Sequence, residues 1–134
     1  MADAKPKTRG DARVLVVEDA DAIRAAVESG LVGAGHHVVA RPDGRDFERI
    51  LAEFQPDLVI TDIMMPYLSG LEVIGAVKKK YPTGTPVIIL SGMGQENVVL
   101  EAFQLGADDY ITKPFSPNEL SVRVRRFDGS TVKH

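Results

Sequence analysis

Four places in the chain carry side chains suited to phosphoryl chemistry: Glu18-Asp19, Asp62, Ser91-Gly92 and Lys113. Gathered together, they would bring three carboxylates, a hydroxyl and an ammonium to one site. Like charges about 4 Å apart repel by about 4 kcal/mol at an effective dielectric near 20, so three ionised carboxylates need compensation. Lys113 offsets one charge. A hard divalent cation offsets the rest, Mg²⁺ first and Mn²⁺ as the alternative, because such ions take carboxylate oxygen and water and keep positions open for phosphate. Glu18 and Asp19 then hold metal, and Asp62 stands beside it, able to attack or to ligate. Ser91, the Gly92 N–H and Lys113 supply hydrogen bonds and positive charge to the oxygens of an anion. That is a layout for phosphoryl transfer, in which the protein positions the reactants and stabilises charge.

The residues meet only if the elements around them place them together. Five short β-branched runs alternate with helical patterns: Arg13–Val17, His37–Ala40, Leu58–Thr61, Val87–Leu90 and Tyr110–Ile111. The intervening stripes are Ile23, Ala26, Val27, Gly30, Leu31 and Ala34, then Phe47, Ile50, Leu51 and Phe54, then Leu71, Ile74, Val77 and Tyr81. Their spacing is that of amphipathic helices. Gly33 and Gly35, Pro56, and Pro82 with Gly84 stop these three. A fourth helix spans about 95–105 and stops at Gly106, and a fifth spans 118–127 with Pro117 near its start. Strands and helices alternating at this pitch predict right-handed βαβ units, hence a parallel sheet in a three-layer α/β sandwich. The pattern alone allows either doubly wound strand order. In such sheets ligands bind outside the carboxyl ends of the strands, and those ends are where the six residues fall.

Composition narrows the classes. The 134 residues hold 44% hydrophobic and 26% charged residues, enough for one core and too much apolar content for a disordered chain. With 16 Lys+Arg against 19 Asp+Glu, the net charge of −3 argues against a direct nucleic-acid binder. The absence of cysteine excludes a disulfide scaffold, a thiolate metal site and a Cys nucleophile. No run nears the ~18 apolar residues of a membrane span, and residues 1–11 have no apolar signal region. A cytoplasmic protein is therefore expected. Residues 1–11 read as a flexible tail, 12–127 as the domain, and 128–134 as a frayed end.

The stretches Val14-Leu-Val-Val-Glu18-Asp19, Pro56-Asp-Leu-Val-Ile-Thr-Asp62-Ile-Met-Met-Pro66, Leu90-Ser91-Gly92 and Gly106-Ala-Asp-Asp-Tyr110-Ile-Thr-Lys113-Pro114-Phe115 resemble the receiver domain of two-component response regulators. The resemblance covers about 12–127. It implies a flavodoxin-like (βα)5 fold with strand order 2-1-3-4-5 and a cis Lys113–Pro114 peptide. It implies that Asp62 accepts a phosphoryl group from a phosphohistidine of a sensor histidine kinase or phosphotransfer protein. Asp19 and Asp62 would ligate Mg²⁺ directly, the Met64 carbonyl would be the third protein ligand, and Glu18 would act through metal-bound water. Lys113 would pair with the phosphoryl group, Ser91 would be the switch hydroxyl, and Tyr110 the aromatic that turns inward after it. The face of the fourth helix, fifth strand and fifth helix (α4-β5-α5) would pass the change to a downstream protein or output domain. The positions two after Asp62 and two after Ser91, which tune phosphoryl lifetime in this family, are Met64 and Met93; both are apolar and are expected to shield the phosphoryl group from water.

The stretch from Lys113 to Leu120 with Arg123 and Arg125-Arg126 is similar to receivers of the winged-helix transcription-factor subfamily, which form homodimers through charge pairs on that face. Asp108, Asp109, Glu119 and Arg123 fit it, but residues 95–105 contain no Lys or Arg, so the basic partner on the fourth helix is missing. Nothing after Phe127 reads as an output domain, which leaves a stand-alone receiver or a piece of a longer regulator. Plainer roles exist for single residues: Asp19 and Asp21 as helix caps, Ser91 as a turn residue, His36 and His37 as surface histidines, and Lys78-Lys79-Lys80 as a solvated helix face. Rival functions are an inert pseudo-receiver that acts as an interaction module, a Mg²⁺-dependent aspartyl phosphatase, and a flavin carrier. The phosphatase wants a second Asp where Met64 stands. The flavin carrier wants a Gly- and hydroxyl-rich loop where Glu18-Asp19 stands, and it needs no Mg²⁺.

Overall fold

The computed structural model describes residues 12–127. The tails expected at 1–11 and 128–134 lie outside the described residues. In chain order the elements are β1 (Arg13–Val17), α1 (Asp21–Gly33), β2 (His37–Arg41), α2 (Phe47–Phe54), β3 (Leu58–Asp62), α3 (Gly70–Lys80), β4 (Val87–Ser91), α4 (Glu96–Leu105), β5 (Asp109–Thr112) and α5 (Pro117–Arg125). All strand pairs are parallel, in the order β2-β1-β3-β4-β5. This is the flavodoxin-like sandwich expected from the sequence. Among the described residues no helix is long and apolar enough to cross a membrane.

Alternation along the strands builds both apolar layers. Leu15, Val17, Val59 and Ile89 face one side, where Phe47 and Leu51 of α2, Val73 and Val77 of α3, and Val99 and Ala102 of α4 close over them. Val14, Val16, Ile60, Ile88 and Leu90 face the other, against Val27 and Leu31 of α1 and Leu120 and Val124 of α5. The central strands β3 and β4 are buried throughout, while β2 at the edge is only half-buried. A strand covered on both faces has no room for a polar side chain until it ends. Apart from the buried Thr61, polar groups on β3 and β4 are thereby confined to their last residues, Asp62 and Ser91, which lie at one edge of the sheet.

The strand ends run slightly longer than the periodicity predicts. Ser91 belongs to β4 because it pairs with Thr112, and β5 begins at Asp109 opposite Ile88. Helix α5 stops at Arg125 rather than 127, because the amides of Arg126 and Phe127 turn back to the carbonyls three residues earlier. Two plainer expectations change. His36 is buried, not on the surface, and its Nδ1 accepts from the Ala12 amide at 3.2 Å. Lys78 leaves the solvated face: its ammonium lies 3.0 Å from Asp108, and its stem packs against Gly106. Lys79 and Lys80 stay exposed.

Gly70 opens α3 directly beneath the loop that follows Asp62. Its amide donates to the Ile63 carbonyl at 2.9 Å, and a Cβ there would stand 2.6 Å from both the Asp62 carbonyl oxygen and the Ile63 Cα. Those neighbours are backbone and cannot swing aside. Gly70→Ala is therefore expected to destabilise the fold by about 1–3 kcal/mol and to displace the Asp62 loop. Urea unfolding checks the first effect, and the rate of phosphoryl uptake checks the second.

Candidate phosphoryl-acceptor site

The carboxyl ends of β1, β3, β4 and β5 meet at one edge of the sheet. Glu18 follows β1 and is fully buried, Asp62 ends β3 at 5% exposure, Ser91 ends β4 at 1%, and Lys113 follows β5. Asp19 is exposed at the mouth. Backbone bonds lock the edge together: Ile63 N donates to the Leu90 carbonyl at 3.0 Å and Lys113 N to the Ser91 carbonyl at 2.7 Å. The Lys113–Pro114 peptide is cis.

The Lys113 ammonium bridges two acids, 3.1 Å from Glu18 Oε1 and 3.4 Å from Asp62 Oδ2. Glu18 Oε2 accepts from the Ala20 amide at 2.9 Å. Glu18 Oε1 is buried with no hydrogen bond, and among the described residues the Lys113 charge is what compensates it. Burial, a hydrogen bond with Asp19 and the Glu18 charge push the Asp62 carboxyl from an ordinary 3.8 up to about 7, against the opposing pull of Lys113. Burial works to lower Lys113, but the negative charges of Glu18 and Asp62 beside it outweigh that and hold it raised.

These observations test the fit of a cation. One carboxylate oxygen from each of Glu18, Asp19 and Asp62 lies within 4.8 Å of the others. Two of the three acids are buried, one holds an orphaned oxygen, and burial, first of all, pushes the Asp62 carboxyl up to about 7. An all-oxygen, acid-rich and under-compensated site suits a hard divalent ion.

The remaining expected residues fall around this centre. Met64 N points to Asp62 Oδ1 at 3.5 Å, the long limit of a hydrogen bond. The Met64 and Met93 side chains are exposed in the loops after β3 and β4. Tyr110 lies at the surface, its ring edge-on to Phe103 at 5.8 Å. Neither Asp19 nor Asp21 caps α1: Ala20 holds the N-cap position, and Asp21 instead pairs with Arg24 at 2.7 Å. The charges expected at a dimer face are engaged within the chain. Asp109 takes Arg123 at 2.9 Å and Arg126 at 3.2 Å, Glu119 lies 3.9 Å from Arg123, and Asp108 pairs with Lys78.

Two residues that matter here escaped the sequence reading. Arg24 donates to the Glu18 carbonyl at 3.0 Å and braces the acidic loop from α1. Its signal was weak, a single basic residue in an amphipathic helix. Gly70 had a stronger one, because Ser69-Gly-Leu-Glu72 spells the capping box that forms there, Ser69 Oγ to the Glu72 amide and Glu72 Oε1 to the Ser69 amide.

Known proteins share this chain's sequence pattern and fold. A family model described as "Response regulator receiver domain" matches residues 14–125. The chain is 40% identical over 113 residues to a probable transcriptional regulator, ycf27, of Guillardia theta, which covers 84% of this chain and 44% of that protein. It thus spans less than half the length of that relative. A response regulator receiver domain protein from Clostridium thermocellum superposes with a TM-score of 0.79 at 32% identity, covering 86% of this chain and 92% of its own. The chemotaxis protein CheY4 of Vibrio cholerae superposes at 0.80 with 31% identity, over 87% and 98% of the two chains.

Proposed function

The chain belongs to the response regulator receiver domain family, and from that premise we propose that Asp62 is its phosphoacceptor, working with Mg²⁺ (or Mn²⁺) bound at Glu18, Asp19, Asp62 and the Met64 carbonyl. The observation that carries this reading is the convergence of a buried Asp62, its carboxyl pushed up chiefly by burial, with Asp19 and with a buried Glu18 whose Oε1 has no hydrogen bond. A bound cation would neutralise both acids and shield the charge on an incoming phosphoryl group.

The chain's own residues do the rest. An ionised Asp62 oxygen attacks phosphorus as the P–N bond of a phosphohistidine breaks. The electron pair of that bond stays on the imidazole nitrogen, and Asp62 becomes an acyl phosphate. Lys113 and the Gly92 N–H meet the phosphoryl oxygens, and Ser91 moves to donate to one of them. In the reverse sense, water attacks phosphorus, the Asp62 carboxylate leaves, and phosphate carries away the surplus proton. The domain's chemistry is directed only at itself.

Phosphorylation then becomes a conformational signal. Moving an equilibrium from 1:99 to 99:1 takes about 5.5 kcal/mol. Two charge-assisted hydrogen bonds at the upper end of about 1.5–3 kcal/mol each, or four at the lower end, supply that. Ser91 moving toward the phosphoryl group opens room for Tyr110 to leave Phe103 and turn inward. The α4-β5-α5 face then changes shape for a downstream protein, an output domain or a second copy. The upstream partner is a histidine kinase or phosphotransfer protein in the cytoplasm.

Phosphoramidate, whose P–N bond resembles that of phosphohistidine, provides the test. Intact-mass spectrometry is expected to find one added phosphoryl group in the presence of Mg²⁺ and none with EDTA. No gain in a folded, Mg²⁺-loaded protein would favour the pseudo-receiver. Turnover of external phosphate esters would favour the phosphatase.

The lifetime of the phosphorylated form gives a second prediction. Met64 and Met93 put apolar side chains where polar ones would position water. Met64→Asn and Met93→Glu are each expected to speed loss of the phosphoryl group several-fold, followed by mass spectrometry after donor removal. Unchanged decay in both would remove their role as shields.

A further inference from the structure

The amide that should meet a phosphoryl oxygen already has a partner. Gly92 N donates to Gln95 Oε1 at 2.6 Å, shorter than the usual N–H to oxygen distance. Gln95 stands at the N-cap position of α4, yet its side chain accepts from none of the helix's first-turn amides and reaches back to Gly92. The contact sits at a junction. On one side are Ser91 and the edge that holds Asp62 and Lys113. On the other is a cleft of about 350 Å³ lined by Ser91, Gly92, Gln95, Phe103, Tyr110 and Thr112. A carboxamide oxygen offers the same acceptor role as a phosphoryl oxygen, without its charge.

We propose that the Gln95 side chain is an internal competitor for the phosphoryl-binding amide: Oε1 holds the Gly92 N–H in the resting form and must release it before the phosphoryl group is fully bound. The proposal rests on the receiver reading above. Gln95 acts through Gly92, so it is a positioning residue. One neutral bond opposes a charge-assisted one, and the phosphoryl group wins by a margin that Gln95 reduces. Release also frees the side chain at the start of α4, beside the cleft that Tyr110 borders. Uptake of the phosphoryl group and rearrangement of α4 are thereby tied to the breaking of one hydrogen bond.

Beryllofluoride with Mg²⁺, a tetrahedral mimic of the phosphoryl group, provides the test. Gln95→Met keeps the length of the side chain and removes the acceptor. It is expected to tighten beryllofluoride binding about three- to tenfold, at most ~1.4 kcal/mol. Gln95→Glu keeps an acceptor and adds charge, and is expected to weaken binding. By NMR, the Gly92 amide is expected to exchange slowly in the metal-free wild type and faster in Gln95→Met. If Gln95→Met alters thermal stability but leaves both the affinity and the Gly92 exchange unchanged, Gln95 is a turn residue and the proposal falls. If the folded wild type itself binds no beryllofluoride with Mg²⁺, the receiver reading fails, and the proposal fails with it.

Discussion

Asp62→Asn is expected to make the metal-free protein more stable at pH 8 while abolishing phosphoryl uptake. The cause is the carboxyl held up at about 7 against an ordinary 3.8. A raised folded-state value means that folding favours the protonated acid. Stability from this group is fully present below about pH 4 and is lost as pH rises through about 7. Asparagine keeps the shape, carries no charge and is indifferent to pH in this window. Urea unfolding between pH 5 and 8 in EDTA should therefore show a slope in the wild type that the variant lacks. Mg²⁺ should narrow the gap, because it binds the ionised wild-type site. At a hundredfold excess over its dissociation constant it adds about 2.7 kcal/mol. Equal stability of the two proteins at pH 8 in EDTA would mean that Asp62 is not under electrostatic stress.

Lys113→Met should have the next largest effect, in the opposite direction. Among the described residues the ammonium is the cation that compensates Glu18 Oε1, and it lies 3.4 Å from Asp62. Methionine fills similar space and leaves two buried acids facing each other. Removing one partner from a buried ion pair costs about 3–5 kcal/mol. Lys113 is one-fifth exposed, so the lower end of that range applies at pH 8. Asp62 can relieve the repulsion by taking a proton, so the loss should shrink toward pH 5.5. Mg²⁺ should restore part of it, because the cation replaces the missing charge. Urea titrations at the two pH values, with and without Mg²⁺, separate these terms. A loss that is equal at both pH values would show that Lys113 acts by packing rather than by charge. In the phosphorylated form the same variant removes a partner of the phosphoryl group, so the α4-β5-α5 face should respond weakly even when Asp62 is modified.

Much of this site was legible in the sequence, because buried parallel strands leave polar side chains only at their ends. Leu58 to Asp62 and Val87 to Ser91 are apolar runs broken by a functional group at the carboxyl edge, apart from the buried Thr61. Glu18-Asp19 and Lys113-Pro114 mark the same edge from β1 and β5. What stayed hidden depends on reach rather than residue type. Lys78 finds Asp108 thirty positions away, across the turn at Gly106, and nothing in a triple lysine run singles out the first. His36 faces inward because the chain turns at Gly35, whose φ is +97°, and brings the ring beneath the Ala12 amide. Gln95 is an ordinary polar residue before a helix until its side chain is seen to turn back. Arg123 and Arg126 carry charges that suit a dimer face, and only the structure shows them closing on Asp109 of their own chain.

The most direct measurement locates the phosphoryl group. The protein is incubated with acetyl phosphate and Mg²⁺, then reduced with borohydride, which converts an aspartyl phosphate to homoserine. Peptide mass mapping then identifies the position. Homoserine at position 62 alone, dependent on Mg²⁺ and absent from Asp62→Asn, is the predicted result. Homoserine at Asp19 or elsewhere in the wild type, or a phosphoryl group that resists reduction, would contradict the assignment of Asp62 as the acceptor.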